Sequence, residues 1–170
     1  MWNDTDTPIA YLISFRCYGT WLHGDDHGFI DRDHNLFGTS YNHADSRSYE
    51  EFNRDELKGK PVSLNPQQRE VVAKAIYEVC VYKQWGLYAE NVRTNHVHVV
   101  IGIGYGSSSR ALNSLKSYST KRMREAGLWN REHSPWSRRG SKRCLWNEKS
   151  VALATNYVIN GQGGPLPEFD

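Results

Sequence analysis

This 170-residue chain lacks the features that would mark a membrane or secreted protein. No apolar run approaches the ~20 residues that a spanning helix needs. Asp4 and Asp6 stand where a signal peptide would carry positive charge, so no export signal is expected. Cysteine is scarce: Cys17, Cys80 and Cys144 are odd in number, widely spaced and without a C-x-x-C pair. That excludes a disulfide framework or a thiolate zinc site and points to reduced thiols in a cytoplasm. A zincin's H-E-x-x-H is missing, as are a nucleotide-binding glycine loop, internal repeats and low-complexity segments.

What is present is the composition of a globular protein, 38% apolar and 24% charged. Residues 1–170 are read as one domain, long enough to bury a core. The net charge of +2 hides an asymmetry. Asp25 to Glu56 holds nine acidic and three basic residues, whereas Lys121 to Arg143 holds eight basic and two acidic ones. Trp129, Trp136 and the flanking Tyr118 and Trp146 are interleaved with the basic stretch. Such a mixture suits neutralising phosphates and stacking on unpaired bases; a solvated surface over a few buried tryptophans is the plainer account.

Hydrophobic spacing predicts a first strand at 9–17, then a polar, acidic excursion over 20–64. Asn65-Pro66 opens a helix whose apolar face (Val71, Val72, Ala75, Ile76, Val79, Cys80) runs to about Lys83. Strands are predicted at 85–92 and 95–103, joined as a hairpin by Arg93-Thr94. A second helix spans 110–126 and stops at Gly127. A basic loop, a short strand at 142–146, a last helix at 148–160 and an extended tail over 161–170 follow. The order strand, helix, strand, strand, helix, strand is that of the α+β ferredoxin-like split βαβ sandwich. Its antiparallel sheet carries helices on one face, and its other face is expected to be open to a substrate.

The chemistry is concentrated in Asn95-His96-Val97-His98-Val99-Val100-Ile101. Alternation puts His96 and His98 on one face of a strand, as a preorganised pair for a divalent metal. Two hydrogen-bonded core histidines are the plainer alternative. A histidine-triad hydrolase would need a third histidine where Val100 stands. Metal-assisted attack on a phosphodiester by a tyrosine remains, and it needs a hydroxyl in line with the leaving oxygen.

That motif, followed by Leu115-Lys116-Ser117-Tyr118-Ser119-Thr120-Lys121-Arg122, resembles the single-tyrosine HUH transposases. The similarity is closest to the REP-associated tyrosine transposases, relatives of the insertion-sequence-200 type. Ser14-Phe15-Arg16-Cys17-Tyr18-Gly19-Thr20-Trp21-Leu22-His23-Gly24-Asp25, Trp136-Ser137-Arg138-Arg139-Gly140-Ser141, Leu145-Trp146 and Tyr157-Val158-Ile159-Asn160-Gly161-Gln162-Gly163 extend the resemblance over nearly the whole chain. It implies Mg²⁺ or Mn²⁺ on His96 and His98, holding a scissile phosphate of single-stranded DNA beside a hairpin. It implies Tyr118 as the nucleophile of a 5′-phosphotyrosine intermediate, in a cytoplasmic, nucleoid-associated bacterial protein that works as a monomer or a homodimer. Taken alone, Tyr118 on a face with Ala111 and Leu115 would more often be a core tyrosine.

Relatives place a Gln or Asn about one turn after the tyrosine as a further metal ligand. After Tyr118 that turn holds Lys121 and Arg122, neither a good Mg²⁺ ligand. They would instead hold the phosphate, with water filling the metal shell, and the third ligand is open. Asn95 faces away from His96 and is not favoured. DNA contacts are expected from Lys116, Lys121, Arg122, Trp136, Arg138, Arg139, Lys142 and Arg143. His23, His27, His34 and His43 fit solvated loop residues better than a second metal cluster. A domesticated DNA-hairpin binder without turnover is the alternative to an enzyme.

Overall fold

The computed structural model describes residues 6–20 and 60–161. Their order is β1 (Ala10–Cys17), α1 (Pro66–Lys83), β2 (Gly86–Val92), β3 (His96–Gly102), α2 (Ser108–Glu125), β4 (Trp136–Leu145) and α3 (Glu148–Asn160). Residues 21–59 of the acidic excursion, with its four histidines, and most of the expected tail lie outside the described residues; the end of the excursion is not polar surface, since Val62 and Leu64 are buried in the core. The strands form one antiparallel sheet in the order β2-β3-β1-β4, the ferredoxin-like arrangement that the element order predicts.

Local signals account for the helices. Asn65 caps α1 through a reciprocal box: its Oδ1 accepts from the Gln68 amide at 2.8 Å, and Gln68 Oε1 accepts from the Asn65 amide at 2.9 Å. Ser107 caps α2, which therefore begins two residues before the predicted start. Gly127, at φ +71°, turns the chain out of that helix while the Leu128 amide reaches back to the Met123 carbonyl. β4 is twice the expected length and takes in the end of the predicted basic loop, from Trp136 onward. Its pairing with β1, from Ala10↔Leu145 to Phe15↔Gly140, holds residues whose polar sequence does not read as strand.

Alternation divides the interior. Ile13, Phe15, Cys17, Val97, Val99 and Ile101 point to one side, against Val72, Ile76 and Val79 of α1 and Leu112, Leu115 and Met123 of α2. Gly140 lies in this layer because a Cβ there would stand 3.0 Å from both Leu112 methyls and 2.8 Å from the Ser14 carbonyl. The opposite side carries Ala10, Leu12, Ala89, Val100 and Leu145, covered by Val151, Ala154 and Val158 of α3. The second sheet face is thus not fully open as the two-helix pattern suggests. The last helix needs somewhere to bury its small apolar stripe, and it roofs one part of that face.

Candidate active site on the sheet face

The uncovered part of the second face begins where its apolar row ends. On β3, Val100 is buried, then His98 and His96 follow on the same side; their partners on β1 are Leu12, Ser14 and Arg16. The two imidazoles lie with ring centroids 4.8 Å apart at 71°. Each is gripped at Nδ1: His96 by Asn95 Oδ1 at 2.7 Å, His98 by Ser14 Oγ at 2.5 Å. An amide oxygen only accepts, so His96 donates from Nδ1 and carries its lone pair on Nε2. This is how a metal-binding histidine is commonly oriented. Asn95 is therefore not a ligand candidate but the residue that turns its neighbour.

Burial pushes the His98 imidazole down to about 4, and the neighbouring His96, Arg16 and Arg93 act in the same direction. His98 is thus neutral at physiological pH, the form that can donate a lone pair. Among the described residues no group of three or more His, Cys, Asp and Glu side chains comes together. A divalent ion would rest on two nitrogens plus amide, phosphate or water oxygens. Imidazole nitrogens suit transition ions better than Mg²⁺, so the donor set fits Mn²⁺ at least as well.

A tyrosine does face this pair, from α3. The Tyr157 ring lies 5.6 Å from the His98 ring at 71°, half-buried, one residue before the buried Val158. Asn160 follows three positions later, one helical turn away. In the sequence the segment holding both stands out by likeness; its physical signal is an aromatic followed by an amide at helical spacing.

Tyr118 lies elsewhere. It packs against the α1/α2 core on the other side of the sheet, and its hydroxyl accepts from Arg122 Nη2 at 3.2 Å. Arg122 and Lys121 both lie over its ring. The sheet stands between Tyr118 and the histidines, so the structure does not bring the two motifs together.

Several expected DNA contacts are also employed internally. Lys116 is buried, and its Nζ donates to the carbonyls of Ser137 and Arg139 at 2.9 and 3.0 Å, with Arg138 at 3.4 Å. It ties the start of β4 to α2. Arg122 bonds Glu78 of α1 at 2.8 Å and Glu125 at 2.9 Å, joining the two helices. Trp136 is a core residue: its ring meets Phe15 edge-on at 4.9 Å and its Nε1 donates to the Lys116 carbonyl. With both faces enclosed it is no stacking platform.

Lys121, Arg138, Arg139, Lys142 and Arg143 are exposed, but on different sides. Lys142 pairs with Ile13 and donates to Ser109 of α2; Arg138 and Lys121 border a groove between α2 and β4. Arg143 pairs with Leu12, so it shares the face of the histidines, as does Arg16 beside His96. Arg16 falls within one of the similar sequence segments, and its place in the strand alternation, opposite His96, is the signal that sets it on this face.

The sequence over residues 58–159, more than half of the chain, matches the family model for IS200-like transposases. No curated protein matches the chain. Among solved structures, a REP-associated tyrosine transposase bound to a REP hairpin aligns over 95% of this chain and 72% of its own, at 14% identity and a TM-score of 0.51. A protein assigned as a transposase from Deinococcus radiodurans R1 aligns over 96% and 97% at 13% identity and a TM-score of 0.46. At 14% identity the likeness to the REP-associated transposase speaks to fold alone, and it accords with the sheet order described above. Membership rests on the family match: the chain belongs to the IS200-like transposase family.

Proposed function

We propose that this transposase cuts and rejoins single-stranded DNA beside hairpins, with Tyr157 rather than Tyr118 as the attacking hydroxyl. The observation that carries this reading is the shared face: Tyr157 packs 5.6 Å from His98, and Tyr118 lies beyond the sheet. His96 and His98 would hold Mg²⁺ or Mn²⁺, and Asn160, one turn after Tyr157, is a candidate for a further ligand. When bound, the ion supplies positive charge that polarises a phosphate and lowers the cost of its trigonal-bipyramidal charge.

The chain's own groups supply the rest. Arg16 and Arg143 place guanidinium charge on the face where a DNA backbone would run. Tyr157 Oη forms a bond to the scissile phosphorus and gives up its proton to solvent. The P–O3′ bond breaks, and the departing oxygen takes a proton to become a 3′-hydroxyl. The phosphotyrosine conserves the energy of the broken linkage, so a 3′-hydroxyl can reverse the step on another junction without a nucleotide cofactor.

Hairpin oligonucleotides with single-stranded flanks, incubated with Mn²⁺ and run on a denaturing gel, test the reading. A covalent protein–DNA adduct kept by Tyr118→Phe and lost by Tyr157→Phe is expected. An adduct lost by Tyr118→Phe alone would restore the first assignment. Tight hairpin binding with no adduct would favour a non-catalytic binder.

A further inference from the structure

We infer that Asn91 is a positioning residue that holds the tyrosine helix in register with the histidine pair, an inference resting on Tyr157 as the nucleophile. Asn91 lies on β2 directly opposite His98, so its side chain shares the face of the pair. From there its Nδ2 donates to the Val158 carbonyl of α3 at 3.0 Å. Val158 adjoins Tyr157, and its carbonyl belongs to the last turn of a helix that ends at Asn160.

Last-turn carbonyls are where a helix commonly takes hydrogen bonds from outside its own ladder, and this bond is one such contact. The next cap contact, from the Gly161 amide, goes to Tyr157's own carbonyl instead. Asn91 thus satisfies a terminal group of α3 from outside the helix. It does so from the residue paired with the inner histidine, so one side chain references both halves of the site to each other.

The rest of the α3 contact is poorly suited to that task. Val151, Ala154 and Val158 are short side chains, and a shallow apolar stripe resists sliding less than interlocked large ones. The directional bond sets where Tyr157 stops along the sheet. In-line attack is sensitive to such placement, and an error near 1 Å costs up to about a hundredfold in rate.

The test uses the full-length protein, single-turnover adduct formation at saturating hairpin DNA, and hydrogen exchange. Asn91→Ala removes the donor. Asn91→Leu keeps roughly the shape without a donor, and it stands in if the alanine variant does not fold. For both, adduct formation is expected to slow about 10- to 100-fold, with affinity for DNA and Mn²⁺ within about twofold of wild type. Amides in the last turn of α3 should exchange faster while those of α1 do not. Wild-type rates in both variants, or α3 exchange that is unchanged, would overturn the role of Asn91. A wild-type protein that forms no adduct would instead sink the Tyr157 reading, so the two failures are told apart.

Discussion

The two faces of this sheet have been put to different uses. Against α1 and α2 the sheet presents Phe15, Ile13, Val97, Val99 and Ile101. Even the charged residues there, Lys116 and Arg122, act as ties between elements. Against α3 the apolar row is short, and it gives way to Ser14, Arg16, His96 and His98. Each side has a helix-borne tyrosine with polar neighbours. Nothing in its local sequence makes Tyr157 more reactive than Tyr118; the side of the sheet on which it docks makes the difference. A hydroxyl becomes a candidate nucleophile by the company that the fold gives it.

The sharpest way to break this contrast is to exchange the tyrosines' fates. Tyr157→Phe is expected to lower adduct formation by at least about a thousandfold, because it removes the attacking hydroxyl itself. Tyr118→Phe should stay within a few-fold, with its loss visible in thermal stability instead. Equal losses of activity in the two variants would erase the distinction between the faces.

Core truncation comes next. Phe15→Ala should cost about 3–5 kcal/mol in chemical denaturation, since it empties the large cluster and deprives Trp136 of its edge-on partner. A loss below about 1 kcal/mol would show that the helix layer is not the main source of stability.

The faces should also answer pH in opposite directions. Glu90, on the α1 side of β2, is partly buried, and desolvation pushes its carboxyl up to about 7. Its folded form holds the proton more tightly than the unfolded chain. Stability from this group is therefore complete below its ordinary value of 4.5 and is lost as pH rises through about 7. His98 is held down to about 4, so its contribution is complete above 6.5 and is lost as pH falls toward 4. After discounting for partial exposure, each is worth about 1–2 kcal/mol. Urea melts of metal-free protein should show Glu90→Gln gaining over wild type at pH 8 but not at pH 4.5. His98→Gln should gain only at the acid end. The reverse pattern would refute both assignments.

The smallest effect separates neighbours on one strand. Arg143→Ala should flatten the salt dependence of single-stranded DNA binding by about one unit of slope, and Lys142→Ala by less, since Lys142 is turned toward Ser109. Fluorescence anisotropy across a salt series would show it; equal slopes would mean that DNA does not distinguish the two sides of β4.

Much of the fold was legible because periodicity reports which side chains must be covered. The capped helix at 66–83, the β2–β3 hairpin and the histidine pair follow from spacing alone. What escaped were decisions taken between elements. β4 reads as a basic loop because its strand character comes from pairing with β1. The sequence could show that Lys116, Arg122 and Trp136 are basic or aromatic, but not that carbonyls, carboxylates and a phenylalanine from distant segments had claimed them. Tyr118 follows His98 more closely in the chain, and Tyr157 is nearer in space because α3 crosses to the face that the first two helices leave vacant.

One irregularity in β2 has a wide reach. Leu87 pairs with Ile101 and Ala89 with Val100, so Tyr88 bulges out of the ladder. Were Tyr88 drawn into the pairing, every later residue of β2 would step along by one, and Glu90 instead of Asn91 would oppose His98. A carboxylate would then stand across from two imidazoles, the makings of a harder, oxygen-richer metal site, and the tyrosine helix would lose its tether. A single looped-out residue thus decides whether this edge of the sheet offers the metal an anion or offers the helix a hand.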